Sequence, residues 1–140
     1  MNRKERRLQA KKSGVPPKKA RSAELVARGQ ALVQAGNPGE ALAAFESALK
    51  LDRRNTDIHY MLGVTCNQLG QTDAAIDHYR QSIVLQPAHV NACYNLGNLF
   101  MQQQRWDEAC TAYRQAVRFN PKMASAWNNL ANILKATGQD

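Results

Sequence analysis

The chain has 140 residues, 44% of them hydrophobic, and its 19 basic and 11 acidic side chains give a formal net charge of +8 at pH 7. This length suffices for one domain with a buried core. No apolar run approaches the roughly 20 residues that span a bilayer, and no signal-peptide-like apolar segment is present. The composition therefore excludes a transmembrane protein and predicts a soluble, cytoplasmic one that is not secreted.

The basic residues are concentrated at the N-terminus. Residues 1–21 contain nine Lys or Arg and one acid, Glu5, so they carry the whole net charge and the rest of the chain is neutral. Such a polar segment is predicted to be a disordered arm, with a short helix over its first residues as the alternative. Its cations could bind nucleic acid or an anionic membrane surface. No aromatic residue accompanies them for base stacking, which predicts low specificity.

A 34-residue repeat organises the rest of the chain. Equivalent positions hold small residues or an aromatic residue, in the sets Gly29, Gly63, Gly97 and Ala131; Ala41, Ala75 and Ala109; and Phe45, Tyr79 and Tyr113. The predicted units are residues 22–55, 56–89 and 90–123, followed by part of a unit at 124–140. A repeat of this length indicates a stack of supersecondary units.

Each unit is predicted to form two helices. In the third unit one apolar stripe recurs at helical spacing over Cys93, Leu96, Gly97 and Phe100, the segment QQQRWD interrupts it, and a second stripe follows at Ala109, Tyr113, Ala116 and Val117. The small residues Gly97 and Ala109 predict a close approach of the two helices, with Tyr113 beside them.

The pattern Leu-Gly-x-x-aromatic, then Ala-x-x-x-Tyr, then Pro, at a period of 34, resembles the tetratricopeptide repeat (TPR). The resemblance covers residues 22–140 and implies an all-α fold, a right-handed superhelical stack of antiparallel helical hairpins with three TPR units plus one further helix. The first unit departs from the pattern at Arg28 and Arg53, as terminal repeats often do.

The resemblance also implies a concave groove, lined by the first helix of each repeat, that holds peptides or other proteins. At about 100° per residue, Asn95, Asn98, Asn129 and Asn132 lie opposite the core stripes of their helices. A side-chain amide can match the N–H and C=O of any peptide bond. This arrangement is similar to the asparagine ladder of O-linked N-acetylglucosamine transferases, where it grips the backbone of a bound chain. In the alternative interpretation these polar residues only keep the face solvated.

The corresponding face of the first two repeats is largely apolar, which predicts that it accepts apolar side chains. The full set of predicted peptide-binding residues is Tyr60, Met61, Val64, Asn91, Tyr94, Asn95, Asn98, Asn128, Asn129 and Asn132. The face carries no Lys or Arg between Ala23 and Asn132. This argues against a clamp for a peptide's terminal carboxylate, the mode used by TPR co-chaperones.

Enzymatic chemistry is not indicated. His59, Cys66 and Cys93 fall on core stripes, so the simplest interpretation is that all three are buried in the stack. The cysteines are then reduced thiols of a reducing compartment. There is no Gly-rich phosphate loop and no metal-ligand spacing. The sequence therefore predicts a non-enzymatic scaffold that binds an extended peptide and needs no cofactor or metal. The alternatives are an electrostatic binder acting through the basic arm and a substrate-recruiting module of a glycosyltransferase-like enzyme.

The last helix, predicted over residues 124–136, has no second helix after it. Its apolar stripe is therefore expected to lack cover. One interpretation is that the chain is the N-terminal part of a longer repeat protein, and that the isolated chain self-associates through Trp127, Leu130, Ile133 and Leu134. In the alternative the helix caps the stack by itself.

Overall fold

A computed structural model describes residues 1–14 and 17–138. This part of the chain forms eight helices: α1 (Arg3–Ser13), α2 (Pro17–Gln34), α3 (Pro38–Leu51), α4 (Thr56–Gln68), α5 (Thr72–Leu85), α6 (Val90–Gln102), α7 (Trp106–Phe119) and α8 (Ala124–Ala136). The pairs α2–α3, α4–α5 and α6–α7 are three hairpins, and α8 packs on α7. The predicted all-α stack of three hairpins plus one further helix is confirmed. None of the described helices has the length and apolar content needed to cross a membrane.

Residues 3–13 of the basic N-terminal segment form α1, which agrees with the short helix that was the alternative to a disordered arm. Asn2 and Glu5 form a reciprocal capping box: Asn2 Oδ1 accepts from the Glu5 N–H at 2.8 Å, and Glu5 Oε2 accepts from the Asn2 N–H at 2.9 Å. Gly14, with a φ of 72°, ends α1 in the left-handed conformation. Local capping thus favours a helix that a count of charges does not reveal.

Each hairpin packs a glycine of its first helix against an aromatic ring of its second. A Cβ placed on Gly97 would lie 2.7 Å from Tyr113 Cε1, and one placed on Gly63 would lie 2.6 Å from Tyr79 Cε1. Both tyrosines are almost completely buried. The close helix approach predicted from the small residues is therefore confirmed, and it fixes the tyrosines directly beneath the first helices.

Hydrogen bonds join the start of a repeat to its end. Ser22 Oγ donates to the Ala48 carbonyl at 3.0 Å, and at the equivalent positions Thr56 Oγ1 donates to the Ser82 carbonyl at 2.9 Å. Ser82 Oγ returns a bond to the Thr56 carbonyl at 3.0 Å. These contacts fix the register of the two helices in each of the first two hairpins.

Helix α8 buries more of its apolar stripe than the sequence predicts. Leu130 and Ile133 are only 6% and 1% exposed, because they face the preceding hairpin and join its core. Leu130 and Ile133 are therefore not available to the predicted self-association surface, and self-association through the rest of the stripe stays a prediction. Exposed apolar surface on this stripe is confined to Trp127, which is 50% exposed, and part of Leu134. Trp127 Nε1 donates to the Pro121 carbonyl at 2.8 Å.

Candidate functional site

The first helices α2, α4, α6 and α8 contribute equivalent residues to one surface, which we call the inner face. It comprises Ala23, Val26, Ala27 and Gln30; Asp57, Tyr60, Met61 and Val64; Asn91, Tyr94, Asn95 and Asn98; and Ser125, Asn128, Asn129 and Asn132. Polar contacts join neighbouring helices across this face. They are Gln30 Nε2 to Met61 Sδ at 3.5 Å, Asn95 Nδ2 to the Tyr60 hydroxyl at 3.4 Å, and Asn129 Nδ2 to Asn98 Oδ1 at 3.3 Å.

The first half of the inner face is a shallow, largely apolar depression of about 510 Å³ between α2 and α4. Its walls include Val26 and Ala27 on one side and Tyr60 and Met61 on the other. Lys19, which precedes the part of the face considered in the sequence, also lines it. The depression can receive an aliphatic side chain, because apolar atoms line most of its surface.

The asparagines of the second half are hydrogen-bonded to tyrosine hydroxyls. Asn95 Nδ2 donates to Tyr79 as well as to Tyr60, each at 3.4 Å. In the next repeat Asn129 Nδ2 donates to the Tyr113 hydroxyl at 3.2 Å, and that hydroxyl donates to Asn98 Oδ1 at 2.5 Å. The amides are therefore held in defined orientations by groups beneath them.

The supporting tyrosines keep their protons. Burial raises the pKa of Tyr113 to about 12, partly opposed by the hydrogen bond from Asn129. Burial likewise raises the pKa of Tyr79, with the Asn95 bond again opposing. Both hydroxyls can therefore donate and accept hydrogen bonds throughout the physiological pH range.

Each of these asparagines keeps one polar atom for another partner. Within residues 1–14 and 17–138 no hydrogen bond reaches Oδ1 of Asn95, Oδ1 of Asn129 or Nδ2 of Asn98. The three residues are half-buried, and no buried side-chain N or O atom in the described chain lacks a partner. These three atoms are therefore open to solvent and available to a ligand.

His89 lies at the edge of the inner face, a position that sequence reasoning missed. Its Nδ1 accepts from the Ala92 N–H at 3.1 Å and so caps α6, while its Nε2 lies 3.5 Å from Asp57 Oδ1. Its ring centroid is 4.8 Å from that of Tyr60. Asp57 and Tyr60 lie on α4, two helices before α6, so no local spacing predicts their contacts with His89. Asp57 is the one charged residue among the sixteen of the inner face.

The cysteines are poor candidates for chemistry. Cys66, Cys93 and Cys110 are free and buried, as predicted for the first two. Burial raises the pKa of Cys93 to about 11 and also raises that of Cys66, so both remain thiols rather than nucleophilic thiolates. Among the residues with described positions, no three His, Cys, Asp or Glu side chains are grouped to hold a metal ion.

Models of known protein families match most of the repeat region. The family described as "Tetratricopeptide repeat" matches residues 26–90, and the one described as "TPR repeat" matches residues 97–138. The chain belongs to the tetratricopeptide repeat family. A search of curated protein sequences found no match to this TPR chain.

Solved TPR structures share its architecture. MamA is 23% identical, with a TM-score of 0.80 over 84% of this chain and 69% of MamA. The first TPR domain of Spaghetti (RPAP3), bound to the HSP90 peptide SRMEEVD, is 18% identical, with a TM-score of 0.81 over 86% and 95%. YrrB, described as having an unusual peptide-binding site, is 21% identical, with a TM-score of 0.71 over 77% and 56%. At these identities the matches establish the TPR fold alone.

The predicted site residues occupy different environments on the TPR inner face. Those that are half-buried are Tyr60, Met61, Val64, Tyr94, Asn95, Asn98 and Asn129, whereas Asn91, Asn128 and Asn132 are exposed. The structure brings Asn95 to Tyr60 and Asn98 to Asn129, and the Tyr94 ring lies 5.8 Å from the Tyr113 ring. A peptide-binding role for these residues, and the resemblance to glycosyltransferases, remain predictions.

Proposed function

We propose that this TPR chain is an interaction module that holds an extended peptide along its inner face. The observation that carries the proposal is the set of side-chain amides at Asn95, Asn98 and Asn129, each oriented by the protein and each with one polar atom open to solvent. Such atoms recognise main-chain groups, which every peptide has, rather than particular side chains.

The spacing of the helices supports an extended ligand. Packed helices lie about 8 to 10 Å apart, and an extended chain advances about 3.3 Å per residue. Asn95 on α6 and Asn129 on α8 would therefore meet main-chain groups about three residues apart. The apolar depression between α2 and α4 would hold a hydrophobic side chain nearer one end of the same peptide.

The charge of the inner face argues against one class of ligand. The related RPAP3 domain holds the acidic peptide SRMEEVD. In this chain the inner face has no Lys or Arg and carries the exposed carboxylate of Asp57. Apart from Lys19, which lines the depression, no cation of the face offers an acidic peptide terminus a charge-assisted bond, and the terminus would meet the like charge of Asp57. We therefore expect neutral or basic extended segments to bind in preference to acidic ones.

A random peptide display library, selected against the full chain, tests the proposal. The selected peptide is titrated into the wild type, the Asn95→Ala/Asn129→Ala variant and a control, Asn37→Ala/Asn120→Ala, whose changes lie in loops between helices. Each lost amide contact costs about 0.5 to 1.5 kcal/mol, so the inner-face variant should bind about tenfold more weakly. Equal affinities for all three proteins would show that the peptide uses another surface.

A second candidate function concerns α1. At 100° per residue, five of its cations lie on one side of the helix: Arg3, Lys4, Arg6, Arg7 and Lys11. All five are exposed, whereas Leu8 lies toward the other side. A helix with this distribution presents a basic stripe to a repeating phosphate surface, such as a nucleic acid or an anionic membrane.

Retention on immobilised RNA and on anionic vesicles tests this second function. The wild type should be retained at low salt and released as salt rises, and a variant with Arg3, Arg7 and Lys11 replaced by Gln should elute earlier. The control variant carries Gln at Lys50, Lys122 and Lys135, which are exposed and lie outside α1. Identical elution of the two triple variants would exclude a role for the stripe.

A further inference from the structure

The tyrosines beneath the second half of the groove determine which end of each asparagine amide faces a ligand. We propose that Tyr79 and Tyr113 are positioning residues that make Asn95 and Asn129 hydrogen-bond acceptors toward the groove and Asn98 a donor. This inference rests on the proposed peptide-binding function, and it adds a fixed order of main-chain groups that the ligand must present.

The acceptor role of Asn129 follows from the orientation of its amide. Its Nδ2 donates toward two oxygens that lie close together, the Tyr113 hydroxyl at 3.2 Å and Asn98 Oδ1 at 3.3 Å. Rotating this amide alone by 180° would place its oxygen against Asn98 Oδ1, two acceptors in contact, and rotating both amides would exchange their roles, which amide hydrogen exchange distinguishes. Asn129 Oδ1 receives no hydrogen bond within the described residues, so this position can accept an N–H group from the ligand.

Asn98 has the opposite polarity. Its Oδ1 receives the Tyr113 hydroxyl and the Asn129 amide, which together use both acceptor sites of that oxygen. Its Nδ2 hydrogens remain for the groove and require a ligand carbonyl. Asn95 has the same orientation one repeat earlier, with its Nδ2 donating to the hydroxyls of both Tyr60 and Tyr79 at 3.4 Å, but Val64 takes the place of Asn98 there.

The tyrosines need not touch the ligand to do this. Tyr79 and Tyr113 are 1% and 0% exposed, and their rings pack on Gly63 and Gly97. A ring that is almost completely buried keeps its hydroxyl in place, so the amide above it is positioned before any ligand arrives. Preorganisation of this kind raises affinity because less side-chain freedom is lost on binding.

Side-chain amide hydrogen exchange in the free protein is the first test. In ¹⁵N-labelled wild type the Nδ2 hydrogens of Asn95 and Asn129 should exchange several-fold more slowly than those of Asn98. Tyr79→Phe should lower the protection of Asn95 alone, and Tyr113→Phe that of Asn129 alone, because the contacts with Tyr60 and Asn98 remain. Equal exchange of all three amides in the wild type, or slower exchange at Asn98, would overturn the inference, whatever the ligand.

Backbone esters in the display-selected peptide are the second test, because each ester removes one N–H donor. Ester substitution should weaken wild-type binding about threefold to tenfold at two positions about three residues apart. The penalty at one position should disappear in Tyr79→Phe, and that at the other in Tyr113→Phe. Ester penalties unchanged by either substitution would overturn the positioning role. If Asn95→Ala/Asn129→Ala itself leaves affinity intact, the proposed function fails, and the exchange data then decide the inference separately.

Discussion

Nδ1 of His59 on α4 lies 3.2 Å from Nδ1 of His78 on α5, so the two imidazoles share one hydrogen bond inside the second hairpin. Such a bond needs one ring as donor and the other as neutral acceptor. His59 is only 9% exposed. Burial lowers the pKa of both rings, and the proximity of His59 lowers that of His78 further, while Glu46 and Asp77 oppose this shift.

The pair predicts that the protein loses stability in mild acid. The folded state resists protonation, whereas the unfolded histidines take up protons near their ordinary pKa of 6.5. The contribution of the pair is therefore complete above pH 6.5 and is lost as the pH falls below it, with a slope of at most about 1.4 kcal/mol per pH unit for each proton. Tm measured between pH 7.5 and 5 should fall. His78→Gln should flatten that dependence, and an equally steep fall in the variant would contradict the assignment.

Gly97→Ala should destabilise the third hairpin. The added methyl would lie 2.7 Å from Tyr113 Cε1, so the buried ring must move. Overpacking of this kind costs about 1 to 3 kcal/mol. Gly39→Ala in α3 is the control, because nothing lies within 4 Å of its added methyl and alanine favours a helix by about 1 kcal/mol. Urea unfolding should show changes of opposite sign, and a stabilised Gly97→Ala would show that the ring moves without cost.

Ser82→Ala should lower the free energy of unfolding by about 0.5 to 1.5 kcal/mol. Alanine occupies the equivalent positions 48 and 116, so it fits sterically. The loss is of the bond to the Thr56 carbonyl and of the contact between the two hydroxyls at 2.9 Å. Ser47→Ala, on the exposed side of α3, should change stability little. Chemical denaturation of both variants measures the two changes in the free energy of unfolding and so tests the prediction.

The two tryptophans should respond differently to a soluble quencher. Trp127 is half exposed, whereas Trp106 packs against the main core. In Trp106→Phe the remaining emission should be red-shifted and quenched efficiently by acrylamide. In Trp127→Phe the emission should be bluer and the quenching weaker. The reverse order would mean that α8 is turned differently against α7 in solution.

The sequence predicted the stack well because its signals are local. Gly63, Gly97, Tyr79 and Tyr113 recur at a fixed period, and each pair meets within one hairpin. Contacts that join different helices of the inner face could not be predicted in this way. The bond between Asn98 and Asn129 depends on how consecutive repeats are rotated, which no spacing encodes.

Burial of α8 was misjudged for a related reason. An apolar stripe predicts that a helix face is covered, but it does not say which neighbour covers it. Ile133 is buried in the core of the preceding hairpin, whereas Trp127 on the same stripe is half exposed. Conversely, composition favoured a disordered arm over the short helix α1, because it does not register the capping by which Asn2 and Glu5 stabilise the first turn.

Each helix of the stack makes its main contacts with the helix before it and the helix after it. Cooperativity therefore passes from neighbour to neighbour in one dimension, and the hairpins can open in sequence rather than all at once. Helices α6 and α7 each pack between two neighbouring helices, so their backbone amides should become exposed only when much of the molecule unfolds. Among the described helices, α8 makes its main contacts with α7 alone, so its amides should open at a lower free energy than those of α6. A ligand that spans α6 and α8 would bring α8 into the same cooperative unit.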